Sequence, residues 1–112
     1  MIIVSACLAG LPCRWNGEAK TCEEVVELVR KGRAIPLCPE QLGGLGTPRE
    51  PSEARAGRIV SKNGLDVTAH FARGAANVLN AALIFGCREA ILKARTPSCG
   101  DEGRPSNRVN EA

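Results

Sequence analysis

Six cysteines are the residues of this 112-residue chain best suited to chemistry. Three of them, Cys7, Cys38 and Cys99, each follow a short apolar run in the sequence. Among common metals, thiolates select zinc, copper(I) or iron–sulfur clusters. Zinc sites often add histidine, but the single histidine, His70, falls within a predicted helix away from these cysteines. Three thiolates without histidine favour an iron–sulfur cluster with an open coordination position, with zinc binding and simple packing as the alternatives.

The other three cysteines have less distinctive surroundings. Cys22 and Cys87 each fall at the edge of a predicted helix, where a thiol that only packs is the simplest interpretation. Cys13 shares a turn with Cys7, and its position is compatible with a fourth ligand, a shuttle thiol or a bystander. The residues before Cys7 lack the basic leader and apolar core of a signal peptide. We therefore expect a cytoplasmic chain with free thiols.

The elements that would position the cysteines begin with three short strands. Apolar, β-branched runs at 2–4, 34–38 and 90–92 predict buried strands. Helical patterns at about 22–31 and from about 66 or 68 to 85 fall between them. Alternation of strand and helix is typical of a parallel sheet with helical crossovers, so the sequence predicts an α/β fold.

Local signals set the predicted boundaries of these elements. Thr21 is predicted to cap the first helix, with Glu24 completing a capping box, and Gly32 to end it. In the second helix, Phe71, Ala75, Val78, Leu79, Ala82 and Leu83 recur at helical spacing. Residues 39–57 are predicted to form a long Gly- and Pro-rich loop, followed by a small hairpin at 58–63.

The predicted strands bring the three cysteines to one edge. Cys7, Cys38 and Cys99 each lie at, or just past, the C-terminal end of a predicted strand. In open parallel α/β sheets, ligands bind outside these carboxyl ends. The three thiols are therefore expected to approach one another there.

Composition narrows the classes of partner. The net charge of +3 and the three aromatic residues give no sign of a nucleic-acid surface, which needs a concentrated basic face or stacking aromatics. No apolar run is long enough to predict a membrane span.

Four segments of the sequence resemble the thiouracil desulfurase family. They are VSACLAGLPCRWNG at 4–17, PLCPEQLGGLGTPR at 36–49, GLDVT at 64–68 and AILK at 90–93 leading to SCG at 98–100. The resemblance extends over residues 1 to about 100. It implies a Rossmann-like, three-layer α/β domain in which Cys7, Cys38 and Cys99 hold a 4Fe–4S cluster.

The resemblance also implies a reaction. The substrate would be a thiolated uracil, either thiouracil or a thiouridine nucleotide, and the reaction a non-redox desulfuration to uracil and sulfide. Iron at the open position would polarise the C=S bond as a Lewis acid while water attacks the ring carbon.

Further site residues follow from their positions beside these motifs. Glu40, two residues from a predicted ligand, is the candidate acceptor of the water proton, and the alternative for it is a loop cap or ion pair. Ser98 is a candidate hydrogen-bond donor to the substrate, and the alternative is turn chemistry with Pro97. Arg14 and Arg49 are candidate substrate contacts, although exposed arginines often have no such role.

The C-terminal segment departs from the family pattern. We expect a single desulfurase-like domain at 1–100 and a polar tail at 101–112 that supplies neither a helix nor a strand. A sheet edge left open in this way invites self-association, which makes a homo-oligomer possible. An inactive, shortened relative and a non-catalytic iron–sulfur or zinc-binding module are the alternatives to an enzyme.

Overall fold

A computed structural model of the chain describes residues 1–93 and the backbone of residues 109–111. Within these ranges the elements follow in the order β1 (Ile2–Ser5), a 3-10 helix (Ala6–Ala9), α1 (Glu23–Arg30), β2 (Ala34–Leu37), α2 (Pro39–Leu42), β3 (Ser52–Arg55), β4 (Arg58–Ser61), α3 (Thr68–Phe85), β5 (Glu89–Leu92) and β6 (Val109–Glu111).

The central sheet confirms the predicted α/β class. Its four strands lie in the order β2-β1-β5-β6, and every neighbouring pair is parallel. From β1 the chain first crosses to β2 on one side and then returns past β1 to β5 on the other. Of the two crossover helices, α1 contacts β2, whereas α3 contacts α2 and β4. The Rossmann-like, three-layer arrangement stays a prediction.

The core forms where β1, the 3-10 helix and α1 meet. Val4, Leu8 and Val25 are the largest side chains that are almost completely buried, with exposures of 0%, 1% and 1%. The β-branched side chains of β1 suit a central strand covered on both faces, because their restricted rotamers lose little freedom there. The same cluster includes Cys7 and Cys13, so the cysteine loops pack directly on the core.

The start of α1 differs from the prediction. Cys22, not Thr21, occupies the N-cap position, and no side chain caps the helix there. The predicted capping box of Thr21 and Glu24 is therefore wrong. The carbonyl of Cys22 accepts the N–H groups of both Val25 and Val26, and Leu8 accepts the N–H of Cys22. The backbone of the 3-10 helix thus fixes the entry into α1 without a side-chain cap.

The segment predicted as a long loop contains regular structure. The short helix α2 follows β2, and Pro39 occupies its first turn, where a missing N–H is tolerated. Further along, β3 pairs antiparallel with β4 to form a hairpin that begins before the predicted one. The four-residue α2 was missed because its glycine-rich surroundings are typical of a loop.

A close approach of α2 and α3 fixes the position of the chain after Cys38. A Cβ atom on Gly43 would lie 2.0 Å from the carbonyl oxygen of His70, and one on Gly74 would lie 2.0 Å from that of Pro39. His70 Nδ1 lies 2.8 Å from the carbonyl oxygen of Gly43, and Asn77 donates to that of Leu42 at 2.8 Å. Glycines at these two crossing points let the backbones touch.

The buried face of α3 is narrow. Phe71 and Gly74 are buried and Val78 is half-buried, whereas Leu79 and Leu83 are exposed by 62% and 73%. Ala75, which belongs to the same helical pattern in the sequence, is also exposed, and the helix itself is present as predicted. Apolar residues lie on more than one side of α3, so periodicity alone cannot identify the side that packs.

The C-terminal segment contains a strand that the sequence analysis excludes. Val109–Glu111 form β6, which pairs with β5 through Ala90↔Val109, Ile91↔Asn110 and Leu92↔Glu111. The expectation of no strand between residues 101 and 112 is therefore wrong for these three residues, because backbone pairing needs little apolar content at a sheet edge. The division of the chain at residue 100 stays a prediction. Within the described part of the chain, no helix is long and apolar enough to cross a membrane.

Gly74→Ala tests the contact between α2 and α3. Alanine favours a helix over glycine by about 1 kcal/mol, but its Cβ would meet the backbone of Pro39 and force α2 away. We expect a net loss of about 1–3 kcal/mol in the free energy of unfolding. Gly46→Ala is the control, because its Cβ would have no neighbour within 4 Å. Denaturant unfolding that gives equal stabilities for the two variants contradicts this account of the packing.

Candidate metal centre

Cys7 and Cys38 lie at the carboxyl ends of neighbouring strands, as expected. The parallel register pairs Ser5 of β1 with Leu37 of β2, so the residues that follow these strands begin side by side. Cys7 is buried in the 3-10 helix directly after β1. Cys38 follows β2 and is the N-cap residue of α2. Their role as metal ligands stays a prediction.

Cys13 joins these two cysteines. It is 5% exposed, and its carbonyl oxygen accepts a hydrogen bond from the Cys38 thiol, with the sulfur 3.8 Å away. Burial, with smaller contributions from the nearby Cys38 and Cys7 thiols, raises the pKa of Cys13 to about 12. In the metal-free chain Cys13 is therefore a neutral thiol at pH 7, and any metal that it bound would first displace its proton.

Two predicted site residues, Ser98 and Cys99, lie outside the described residues. The chain that leads to them leaves the sheet beside Cys7, because the backbone N–H of Lys93 donates to the Ser5 hydroxyl at 2.8 Å. Ser5 is 2% exposed, so this hydrogen bond joins the ends of β1 and β5 in the interior. Whether Cys99 reaches Cys7 and Cys38 stays a prediction.

The described thiols suit a metal group that is bound through sulfur. The thiols of Cys7 and Cys38 are soft donors at one sheet edge, and they fit an iron–sulfur cluster that takes a further ligand from elsewhere. Within residues 1–93, no three His, Cys, Asp or Glu side chains are close enough to hold one metal ion together.

Glu40 and Arg49 form a buried ion pair beside the cysteines. Arg49 Nε donates to Glu40 Oε1 at 2.9 Å, and the two side chains are only 9% and 14% exposed, in that order. Glu40 lies in α2, two residues after Cys38, so the helix carries the carboxylate to the same edge as the thiol. The structure thus places Glu40 in the short helix directly after Cys38 and gives its carboxylate a charged partner, Arg49.

Arg49 also connects the two cysteine loops. Its Nη2 donates to the Cys13 carbonyl at 3.0 Å, and its Nη1 donates to the Thr47 hydroxyl at 2.9 Å and to the Gly46 carbonyl at 3.2 Å. Its backbone N–H donates to the Trp15 carbonyl at 2.7 Å. Four of the five guanidinium N–H groups are therefore directed at protein acceptors. Sequence spacing carries no signal for a contact between residues 13 and 49.

The remaining candidates are arranged less specifically. Arg14 is half-buried beside Cys13, and its backbone N–H donates to Glu18 in a turn. His70 is half-buried within α3, inside the predicted helix, and its Nδ1 contacts the carbonyl oxygen of Gly43 after α2. The proposed contact of Arg14 with a substrate stays a prediction.

The fold and this edge define an α/β domain with clustered thiols and a buried carboxylate at the carboxyl ends of a parallel sheet. Over residues 2–106 the sequence matches the 2-thiouracil desulfurase family. The chain belongs to that family. The predicted family resemblance is thereby confirmed.

The chain is also similar to two individual proteins. The chain is 42% identical over 110 residues to the uncharacterized protein YbbK of Bacillus subtilis (strain 168), a match that covers 89% of this chain and 73% of YbbK. Among solved structures it is similar to the [4Fe-4S]-dependent thiouracil desulfidase TudS, with a TM-score of 0.85 and 48% identity. That similarity covers 96% of this chain and 72% of the TudS chain.

Arg49→Ala tests the buried ion pair. Without its partner, the Glu40 carboxylate is left charged in a place that water barely reaches, and we expect a loss of about 3 kcal/mol in the free energy of unfolding. The control is Arg55→Ala, whose ion pair with Glu53 is 68% and 62% exposed, for which we expect about 0–1 kcal/mol.

The double variant Arg49→Ala/Glu40→Gln separates the charge from the packing. Removing the carboxylate's charge as well should restore part of the lost stability, because no unpaired charge then remains buried. Denaturant unfolding measures all the variants. Equal losses in the free energy of unfolding for Arg49→Ala and Arg55→Ala would show that the Arg49–Glu40 pair does not behave as a buried ion pair.

Proposed function

We propose that this chain is an enzyme that removes sulfur from a thiolated uracil, as the free base or a nucleotide, and releases uracil and sulfide. The observation that carries the proposal is the Glu40 carboxylate, held by Arg49 beside Cys38 at the edge that also presents Cys7. The similarity to TudS, a thiouracil desulfidase, supports the same substrate class. Membership of the 2-thiouracil desulfurase family supports the reaction.

The proposed cofactor is a 4Fe–4S cluster held by Cys7, Cys38 and Cys99. When bound, it would supply a Lewis-acidic iron that polarises the C=S bond of the substrate. Cys7 and Cys38 offer thiol donors that follow two adjacent strands. The [4Fe-4S] dependence of TudS supports a 4Fe–4S cluster as the cofactor. Because ligand thiols must stay reduced, a cytoplasmic location is part of the proposal.

Glu40 is the proposed general base. Its carboxylate would take a proton from the water that attacks the ring carbon, so that the C–S bond is exchanged for a C–O bond and sulfur leaves as sulfide. The reaction is a hydrolysis and needs no oxidant or reductant. Arg49 fits the positioning of Glu40 better than it fits substrate binding, since its guanidinium already contacts Glu40, Thr47 and two backbone carbonyls.

Ser98 and Arg14 complete the proposed site. The Ser98 hydroxyl would donate a hydrogen bond to the substrate or to the departing sulfur, and Arg14 would contact the polar edge of the base. These roles require a small-molecule substrate, and a uracil derivative has carbonyl and thiocarbonyl acceptors for both donors.

Glu40→Gln is expected to separate turnover from cofactor binding. Loss of a general base should reduce kcat about 10²- to 10⁴-fold, while iron and sulfide content stay at the wild-type level because glutamine keeps the shape of the side chain. Glu50→Gln is the control, because Glu50 is an exposed carboxylate ten residues further along the chain. An unchanged kcat in Glu40→Gln would rule out this role, and lost iron would assign the residue to the cluster pocket.

Cysteine variants test the proposed ligands. After anaerobic reconstitution, Cys7→Ala, Cys38→Ala and Cys99→Ala should each lose most of their iron and sulfide, because three thiolates leave none to spare. Cys13→Ala, which removes a buried thiol from the same cluster of side chains, should keep both. Loss of iron from Cys13→Ala but not from Cys99→Ala would contradict the assignment.

A further inference from the structure

Cys13 is a thiol of the candidate metal centre that the proposed reaction does not use. Its side chain is 5% exposed and lies in the same hydrophobic core as Cys7, and Cys38 packs against that core. The sulfur of Cys13 is therefore surrounded by the two thiols that are proposed as ligands. Thiols that a fold brings together can be joined by oxidation, provided that their sulfurs meet.

Cys38 is the neighbour that Cys13 contacts most directly. The Cys38 thiol donates to the Cys13 carbonyl oxygen, with the sulfur 3.8 Å away. Burial is the main reason for the raised pKa of Cys13, and among its neighbours Cys38 contributes more than Cys7 does. The Cys38 side chain also shares a hydrogen bond with the Cys13 thiol. The structure thus places the sulfur of Cys13 beside the sulfur of Cys38.

Hydrogen bonds hold the backbone of Cys13 in place beside Cys38. The N–H of Cys13 donates to the Leu11 carbonyl at 2.8 Å, and the Cys13 carbonyl accepts from Arg49 Nη2 at 3.0 Å. Arg49 belongs to the segment that follows Cys38 and is itself fixed by its ion pair with Glu40. Two groups that are held side by side react as if each were present at a very high concentration. The fold therefore favours a bond between these two sulfurs.

The two thiols differ in their access to solvent. Cys38 is half-buried, whereas Cys13 is almost completely buried. A small oxidant in solution therefore reaches Cys38 first, and the sulfur of Cys13 lies where it can attack the oxidised Cys38. An accessible thiol with a second thiol poised beside it is the arrangement in which reversible oxidation ends in a disulfide.

We propose that Cys13 and Cys38 form a disulfide when a small-molecule disulfide such as oxidised glutathione meets the metal-free chain, and that this disulfide and the iron–sulfur cluster exclude each other. The exclusion rests on the proposed role of Cys38 as a cluster ligand. A sulfur in a disulfide is no longer a thiolate donor, so the site would lack one ligand until a reductant restores the thiol. Conversely, a Cys38 sulfur bound to iron would not be free to react.

The oxidation balances in two exchange steps. Cys38 loses its proton, and its thiolate attacks one sulfur of the small-molecule disulfide, whose S–S bond breaks and releases one small thiol. Cys13 then loses its proton, attacks the Cys38 sulfur of the mixed disulfide and releases the second small thiol. The two protein thiols lose two electrons to the small-molecule disulfide, and their two protons end on the two released thiols. The raised pKa of Cys13 slows the second step, so we expect the disulfide to form over hours.

Peptide mapping of the metal-free chain after incubation with oxidised glutathione tests the disulfide. The remaining thiols are alkylated, and the chain is cleaved with trypsin under non-reducing conditions. Because trypsin cuts after Arg14, Arg33 and Arg49, we expect residues 1–14 linked to residues 34–49. Fragment ions that separate Cys7 from Cys13 assign the bond in the wild-type chain itself.

Three variants check this assignment. Cys7→Ala should form the link like the wild type, whereas Cys13→Ala should stop at a glutathione adduct on Cys38. Cys22→Ala is the matched control, because Cys22 is a half-buried cysteine against the same hydrophobic core, and it should also form the link. Circular dichroism verifies that each variant is folded. A link in Cys13→Ala, or a wild-type chain that carries only adducts or free thiols, would overturn the disulfide.

The reconstituted chain tests the exclusion. After anaerobic removal of excess iron and sulfide, it should keep its iron and form no link during the same incubation with oxidised glutathione. A link that forms while the iron is retained would overturn the exclusion and the assignment of Cys38 as a ligand. A reduced chain that takes up no iron would instead contradict the proposed function, and the link in the metal-free chain would still establish the disulfide.

Discussion

The parallel register of β1 and β2 is the constraint on which the rest of the site depends. Ser5 pairs with Leu37, so β1 and β2 end side by side at the same edge of the sheet. Cys7 lies two residues after the end of β1, and Cys38 lies one residue after the end of β2. A shift of this register by one residue would turn every side chain of β2 to the other face of the sheet. The buried Val4 and Ala34, which lie in one core cluster, oppose such a shift. The core therefore positions the thiols before any metal is involved.

An ion pair and its hydrogen bonds fix the residues that surround the cysteines. Arg49 lies in the segment after α2. Its guanidinium donates hydrogen bonds to the Cys13 carbonyl and to the Glu40 carboxylate, and its positive charge balances the negative charge of Glu40. A buried carboxylate without such a partner would be strongly disfavoured as a charged group. The fixed contacts hold the Glu40 carboxylate in one orientation, as its proposed role of proton acceptor requires. One side chain thus links two cysteine loops and the candidate base.

The sequence patterns predicted the main strands and helices but not the long-range contacts between them. The three predicted strands are present as β1, β2 and β5, because short apolar runs between helical segments suit the strands of a covered parallel sheet. The strand of residues 109–111 and the buried contact of Arg49 with Cys13 had no local signal, because both arise from pairings distant in sequence. Thr21 failed as a cap because the 3-10 helix already holds the backbone of Cys22. The apolar spacing of residues 71–83 predicted the helix but not which side of it packs, and Leu79 and Leu83 are exposed.

The most direct test of the central claim, a desulfurase site at the edge of this sheet, follows the substrate itself. The anaerobically reconstituted chain is mixed with 2- or 4-thiouracil, and the thiocarbonyl absorbance, uracil and sulfide are measured together. The account predicts that the thiocarbonyl band disappears with equal amounts of uracil and sulfide formed and with no added reductant. A chain that carries its full complement of iron and sulfide but leaves both thiouracils unchanged would contradict it.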